Sequence, residues 1–216
     1  MHCVVTAGPT YEPLDQVRRL TNFSTGRLGC ELAAFLQNHE HEVTLLLGEQ
    51  ATYKGEIKVA RIEPFTTTAN LAAMLQSKAG KDVGAVFHAA AVSDFGFGKV
   101  WIKSVEGELK EVKSSKISTR EGNLVAELVP TPKIIIELRR WFPNSRIVGW
   151  KFETEGTRKD VITRALKQLT ESQSDACVAN GPAFGDGFGL LEAGGKIMHL
   201  TSRTELFNRL EVFARR

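Results

Sequence analysis

Short apolar, β-branched runs alternate along this chain with longer runs whose apolar residues recur every three to four positions. That alternation limits the fold more than any single motif does. HCVVT at 2–6, EVTLLLG at 42–48, IKVARIEP at 57–64, GAVFHAAAV at 84–92, NLVAELV at 123–129, RIVGWKFE at 146–153, DACVAN at 175–180 and KIMHLT at 196–201 read as strands. Between them Leu28, Leu32, Phe35 and Leu36 mark one amphipathic helix from about Gly26 to Asn38, and Leu71, Met74, Leu75 and Ala79 mark a second. Ile134, Leu138 and Trp141, then Val161, Ala165 and Leu169, and finally Leu206, Leu210 and Phe213 mark three more. Caps come from Thr66–Thr68, from Thr131 ahead of Pro132, and from two capping-box patterns, Thr157 with Asp160 and Ser202 with Glu205. Strands alternating with helices specify βαβ units, so the expected class is α/β, a three-layer Rossmann-like fold on a mainly parallel sheet.

Two stretches escape the pattern. From Ser93 to Arg120 neither period holds, and a structureless ordered loop longer than ~15 residues is usually functional, so 93–120 is a candidate lid or hairpin insertion. A short hairpin within WIKSVEGELKEV would turn at Glu106 and Gly107. GPAFGDGFGLLEAGG at 181–195 reads as a glycine-rich turn region.

A chain of 216 residues with 42% hydrophobic and 25% charged residues is expected to form one domain spanning 1–216. The net charge of +3 comes from dispersed basic residues, which argues against a nucleic-acid partner but leaves room for a local anion site. Cys3, Cys30 and Cys177 each sit in apolar surroundings without CxxC spacing, which points to buried thiols in a reducing compartment and not to zinc. No apolar run approaches the ~20 residues that span a bilayer, and the chain enters a strand at once, so a cytoplasmic protein without a membrane partner is expected.

The stretch most suited to chemistry is TAGPTYEPLDQVRRLTNFSTGRLG, from Thr6 to Gly29, where the first strand hands over to the first helix. In open α/β sheets ligands bind in the crevice beyond the carboxyl ends of the strands. The stretch lacks both GxxxxGK[ST] and GxGxxG, which disfavours a Walker loop and a standard dinucleotide site. Gly8, Ser24, Thr25 and Gly26 nonetheless supply flexible backbone, hydroxyls and a helix start, the ingredients of an anion site; the same residues also suit simple helix capping. His88 and His199 lie in apolar runs as core histidines would, and no histidine has metal-ligand spacing.

This stretch together with HAAAVSDF, SKIS, LVPTPKII, IVGWKFET and DACVAN, in that order and spacing, resembles the phosphopantothenoylcysteine synthetase family across nearly the whole chain. The decarboxylase domain fused ahead of the synthetase in many bacteria is not in this sequence, which resembles the free-standing form. The resemblance implies ligation of 4′-phosphopantothenate to L-cysteine through an acyl nucleotidylate, with CTP or ATP as co-substrate and Mg²⁺ as cofactor, in a homodimer. It gives Gly8, Ser24, Thr25, Gly26, Ala91, Asp94 and Trp150 to the nucleotide, and makes Asn22 and Lys116 the catalytic pair. Asn180 would contact substrate, and Arg18 and Arg19 are candidates for the 4′-phosphate.

Four departures mark this chain. Ser118 and Thr119 follow Lys116 where bacterial members carry a second lysine, Trp150 replaces a phenylalanine, Lys151 an alanine, and Gly181 an aspartate. Two alternatives stand beside the ligase: a Rossmann-like NAD(P)- or flavin-binding oxidoreductase, which the alternation alone permits, and a non-catalytic nucleotide-binding module.

Overall fold

The computed structural model describes residues 1–112, 117–118 and 122–215. The chain runs β1 (His2–Ala7), β2 (Tyr11–Pro13), β3 (Arg19–Thr21), α1 (Arg27–Asn38), β4 (Glu42–Gly48), β5 (Arg61–Phe65), α2 (Thr68–Gln76) and β6 (Ala85–His88). It continues through β7 (Phe95–Lys103), β8 (Leu109–Glu111), β9 (Asn123–Pro130), α3 (Ile134–Trp141), β10 (Arg146–Phe152) and α4 (Arg158–Ser172). It ends with β11 (Ala176–Asn180), β12 (Phe188–Glu192), β13 (Ile197–Leu200) and α5 (Arg203–Ala214).

The central sheet has eight strands in the order β13-β12-β11-β10-β6-β1-β4-β5. The pairs from β5 across to β11 are parallel, and β12 and β13 continue the sheet antiparallel. The chain winds outward one way from β1 through β4 to β5 and the other way from β6 through β10 to β11, so the topological switch point lies between β1 and β6.

Alternation along β1 divides the core into layers. Cys3, Val5 and Ala7 face α1 and α5, packing with Leu32, Leu36, Leu206 and Leu210. Val4 faces the other way, onto Leu71 and Leu75 of α2 and Ile134 and Leu138 of α3. Helix α4 lays Val161, Ala165 and Leu169 on Cys177 and Ala179 of β11. Each fully buried leucine stabilises this arrangement by roughly 1.5–3 kcal/mol. All three cysteines are buried and unpaired; burial pushes the thiols of Cys3 and Cys177 up to about 12 and that of Cys30 up to about 11.

The α/β class is as expected, with several local corrections. The hairpin expected in WIKSVEGELKEV is present, with β7 pairing to β8 through a turn closed by Gly107 N–H donating to Ser104 O (3.1 Å), but β7 begins earlier, at Phe95, and also pairs with β9, giving a separate three-stranded antiparallel sheet. A register shift between Phe97 and Val100 breaks the side-chain alternation, which hides β7 from a period-two reading. The expected strand at 123–129 exists as β9, but in this small sheet and not in the central one. The opening loop contains the β2–β3 hairpin. The expected turn region at 181–195 contains β12, whose Gly189 leaves room for the Phe184 ring; a Cβ there would lie 2.9 Å from Phe184 Cε2.

Boundaries shift elsewhere. The expected strand at 57–64 is ordered as β5 only from Arg61, and the strand from 84 ends at His88. Thr67 caps α2, and Thr157 with Asp160 closes a capping box on α4. Ser202 caps α5, but Glu205 turns back to the N–H and hydroxyl of Thr201 instead. Thr131 does not cap α3. Its hydroxyl donates to Ser93 O, tying β9 to the end of β6, and Lys133 takes the N-cap position without a side-chain cap.

Polar contacts tie the start of the β2–β3 hairpin to α2 and to the segment leading into β7. Thr10 Oγ1 accepts from Ser93 N–H (2.8 Å) and meets Thr68 Oγ1 (3.2 Å), and Glu12 accepts from Thr68 N–H (2.9 Å). Among the described residues, the apolar packing of the small sheet gathers Val100, Ile102 and Ile117, with Leu14, Val112 and Ala126 against them.

Candidate active site

A cleft of about 840 Å³ opens at the switch point, within the range of small-molecule sites. Its first wall is backbone. Gly8 and Gly26 both have positive φ (+81° and +79°), and a Cβ on Gly26 would lie 3.1 Å from Ala51 Cβ and 3.2 Å from Gly8 N. The chain can therefore fold against itself at this point only without side chains, which sets the start of α1 directly over the end of β1. One turn on, a Cβ at Gly29 would lie 2.6 Å from Ala7 Cβ, so α1 also descends onto β1 at close range. Ser24, Thr25 and Gly26 line the cleft on this side; Gly8 lies behind it, outside the lining, where it accepts from Ala91 N–H (3.0 Å).

Asn22 crosses the mouth. Its amide nitrogen donates to the carbonyls of Ala91 and Val92, at 3.2 Å each. Because both partners can only accept, the amide orientation is fixed, and Oδ1 is left as the acceptor facing an incoming donor. Ala91 and Asp94 line the cleft beyond the end of β6, and Asp94 pairs with Lys133 at the start of α3.

The floor is formed by strand ends. His88 is buried, shares a 2.9 Å hydrogen bond with Thr6 Oγ1, and is pushed down to about 4 by burial, so it is neutral and unsuited to proton transfer at pH 7. Trp150 and Asn180 line the cleft from β10 and β11, and each has a buried polar atom, Trp150 Nε1 and Asn180 Oδ1, without a hydrogen-bond partner. Unpaired buried polar atoms cost about 1–3 kcal/mol each, so a donor and an acceptor left bare beside a cleft suit a polar ligand.

Arg18 and Arg19, expected at a substrate phosphate, are outside the lining of this cleft. Arg18 forks onto Asp15 (Nε 3.0 Å, Nη2 2.5 Å) and donates to Ile117 O at 2.7 Å, while Arg19 lies over the Tyr11 ring, 4.8 Å from its centroid. The Arg18 hydrogen bond, supported by the N–H groups of Val17, Ile117 and Arg18, holds the Asp15 carboxyl far below the usual carboxylate range. Lys116 and Thr119 lie outside the described residues; Ser118 is exposed.

Sequence reasoning missed several lining residues, chiefly the cations Arg27, Lys133 and Arg203. With Lys151, which stood out as a departure from the family pattern, they line the cleft against one carboxylate among the described lining residues, Asp94. Arg27 and Arg203 are the first residues of α1 and α5, and Lys133 is the N-cap of α3. A cation at a helix N-terminus opposes the backbone dipole by about 0.3–1 kcal/mol, and three such violations at one cleft were a readable sign of an anion site. In this structure each cation is held by a carboxylate: Arg27 (2.6 Å) and Arg203 (3.2 Å) by Glu31, Lys151 by Glu153 (3.1 Å), and Lys133 by Asp94.

The family model for the C-terminal domain of the DNA/pantothenate metabolism flavoproteins matches residues 1–211. The chain belongs to this family. Its motif resemblance to the phosphopantothenoylcysteine synthetases points the same way. Among relatives, it is 34% identical over 180 residues to the coenzyme A biosynthesis bifunctional protein CoaBC of Thermococcus kodakarensis, covering 82% of this chain and 40% of that protein. The chain thus spans about two fifths of the length of that curated relative. A crystal structure of the DNA/pantothenate metabolism flavoprotein from Streptococcus pneumoniae superposes over 100% of both chains with a TM-score of 0.84 at 28% identity. At 21% identity, a Cab2 variant in complex with phosphopantothenate-cysteine shares the fold, with a TM-score of 0.71 over 99% of this chain and 85% of that one. Among the described residues, no helix is long and apolar enough to cross a membrane.

Proposed function

We propose that this protein is a phosphopantothenate–cysteine ligase of coenzyme A synthesis. One observation carries the reading: one cationic cleft at the switch point gathers Asn22, Ser24, Thr25, Gly26, Ala91, Asp94, Trp150 and Asn180, residues from four separated motifs of the synthetase family. In the reaction, a carboxylate oxygen of 4′-phosphopantothenate attacks the α-phosphorus of CTP or ATP and pyrophosphate leaves. The amine of cysteine then attacks the acyl carbon and the nucleoside monophosphate leaves.

Such chemistry needs positioning and charge stabilisation more than a strong protein nucleophile. Ser24, Thr25 and Gly26 at the start of α1 suit the triphosphate, with Arg27 beside them. The base and ribose suit Trp150 and Asn180, whose bare Nε1 and Oδ1 offer one donor and one acceptor. Asn22 Oδ1 is placed to accept from the cysteine amine while Nδ2 stays anchored, and the amide does not titrate. Lys116 takes from its motif the part of neutralising charge during nucleotidyl transfer. Mg²⁺ belongs to this reading as a companion of the nucleotide that would neutralise charge on the triphosphate, and Asp94, the carboxylate among the described lining residues, would be the one to hold it.

The partners are two small molecules and a second copy of the chain. The exposed apolar side chains of β9, Leu124, Val125, Leu128 and Val129, support self-association. The three buried thiols suit work in the cytoplasm.

A coupled pyrophosphate assay with phosphopantothenate, cysteine and Mg²⁺, run with CTP and with ATP, tests the proposal. Release that requires the acid, and product that requires cysteine, is the expected result; no release with either triphosphate overturns it. Binding of NADPH in place of a triphosphate would favour the oxidoreductase reading.

A further inference from the structure

Resting on the ligase reading, we propose that Phe23 is a water shield for the acyl nucleotidylate, which keeps that intermediate for the amine of cysteine. The intermediate has two fates at its acyl carbon. When the amine attacks, its nitrogen bonds to that carbon, the carbon–oxygen bond on the phosphorus side breaks, and the electron pair leaves with the nucleoside monophosphate. When water attacks, the same bond breaks, the acid is regenerated, a proton goes to solvent, and one triphosphate has been consumed without product. A ligase of this class therefore needs an apolar cover on the mixed anhydride as well as a place for the amine.

Three observations support Phe23 in this part. Its side chain is 110% exposed, more than any other large apolar side chain among the described residues, yet it belongs to the lining of the cleft. A ring left in water at the mouth of a cleft gains from any ligand surface that it covers. Its neighbours in sequence are the two groups that bracket the anhydride: Asn22, whose Oδ1 is placed for the incoming amine, and Ser24, on the triphosphate wall. Residues 22 and 24 lie at most about 7 Å apart along the chain, so the ring between them is carried beside the bond that joins the acyl group to phosphorus. The backbone under the ring is held on both sides. Thr21 Oγ1 donates to Thr10 O (2.9 Å), Asn22 Nδ2 donates to the carbonyls of Ala91 and Val92, and Thr25 O accepts from Tyr53 N–H (3.0 Å). The ring can therefore close over a ligand by turning about its own side-chain bonds while Asn22 stays anchored. Phe152, which lines the same cleft from the end of β10 and is 61% exposed, gives the mouth a second apolar edge.

Reaction stoichiometry tests the proposal. Pyrophosphate and the cysteine amide product are counted in the same mixtures, with and without cysteine, for the full-length parent, Phe23→Ser and Phe23→Leu, alongside KM values for the acid and the triphosphate. The parent is expected to release one pyrophosphate per product and little in the absence of cysteine. Phe23→Ser should raise pyrophosphate per product about fivefold and go on releasing it without cysteine, with both KM values changed less than about twofold, and Phe23→Leu should recover most of the coupling. One pyrophosphate per product in Phe23→Ser overturns the proposal. A raised KM with coupling intact does so too, because the ring is then a binding contact only. A changed subunit assembly of Phe23→Ser in light scattering overturns it by giving the ring to a contact between chains. A parent that releases no pyrophosphate under any of these conditions removes the ligase reading, whereas a coupled parent beside an equally coupled variant removes the shield alone.

Discussion

The two walls of the cleft are made of different material. On the α1 side the surface offered to a ligand is main chain, and it exists because Gly26 and Gly29 let the helix start lie against β1 with no Cβ between them. On the α3 side the surface is charged side chain carried on ordinary backbone, with Lys133 and Lys151 each paired to a carboxylate. The first wall is inseparable from the fold, since the same contacts position α1 and shape the anion site. The second is separable at Lys133, because its pair with Asp94 is exposed and such a pair contributes little to stability. Function on one side should therefore fail together with folding, and on the other side without it.

Asn22 connects the walls and gives the largest expected effect. Asn22→Asp places a carboxylate against the carbonyls of Ala91 and Val92, which breaks the anchor that positions Oδ1, and product formation should fall about 10²–10³-fold, the loss typical of one preorganised polar group. Pyrophosphate release should outlast product formation as the acyl nucleotidylate accumulates. Unchanged turnover in a quench assay would take Asn22 out of the mechanism.

Next in size is the response of the floor to acid. His88 titrates near 6.5 when unfolded and at about 4 when folded, so between those values the unfolded chain binds more protons and stability is lost as pH falls. The shift corresponds to about 3 kcal/mol, to be read as the difference in urea stability between the parent and His88→Leu from pH 7 to pH 4. Parallel pH profiles for the two proteins would contradict it.

Gly29→Ala follows, at about 1–3 kcal/mol, because the new methyl meets Ala7 Cβ at 2.6 Å. For a chain of this length each kcal/mol lowers Tm by roughly 2–4 °C, and anion binding at Ser24–Gly26 should weaken with it. The smallest effect belongs to the other wall: Lys133→Met should move Tm by less than about 4 °C, given the ~0–1 kcal/mol of an exposed pair. A Lys133 variant that melts as early as Gly29→Ala would erase the distinction between the walls.

Legibility in the sequence followed the same division. Most central strands and all five helices announced themselves because β1, β4 and β6 are largely buried and rich in apolar residues and the helices are apolar on one face. Strand β9 is exposed along nearly its whole length, so its apolar residues placed it as a strand but not in its sheet. Strands β7 and β12 are interrupted by glycines that admit a bulge and a ring, and these read as loop. The backbone wall was visible through Gly26 and its neighbours. The charged wall was visible only at Lys151, which departs from the family pattern; a lysine after Pro132 looks like any solvated lysine until helix starts and strand ends are known to converge. Arg18 illustrates the reverse error: a basic pair beside a candidate site drew attention, whereas Asp15, three residues away, holds one of them.

The pairing of every cleft cation with a carboxylate has a consequence for how the protein should respond to salt. A pocket of free lysines and arginines loses anion affinity steeply as ionic strength rises. Here an entering phosphate exchanges places with Asp94, Glu153 or Glu31, and counterions screen the displaced partner as they screen the newcomer. The competitor weakens along with the ligand, so affinity should vary little across physiological salt. A cleft built this way keeps its hold on an anionic ligand when the ionic composition around it changes.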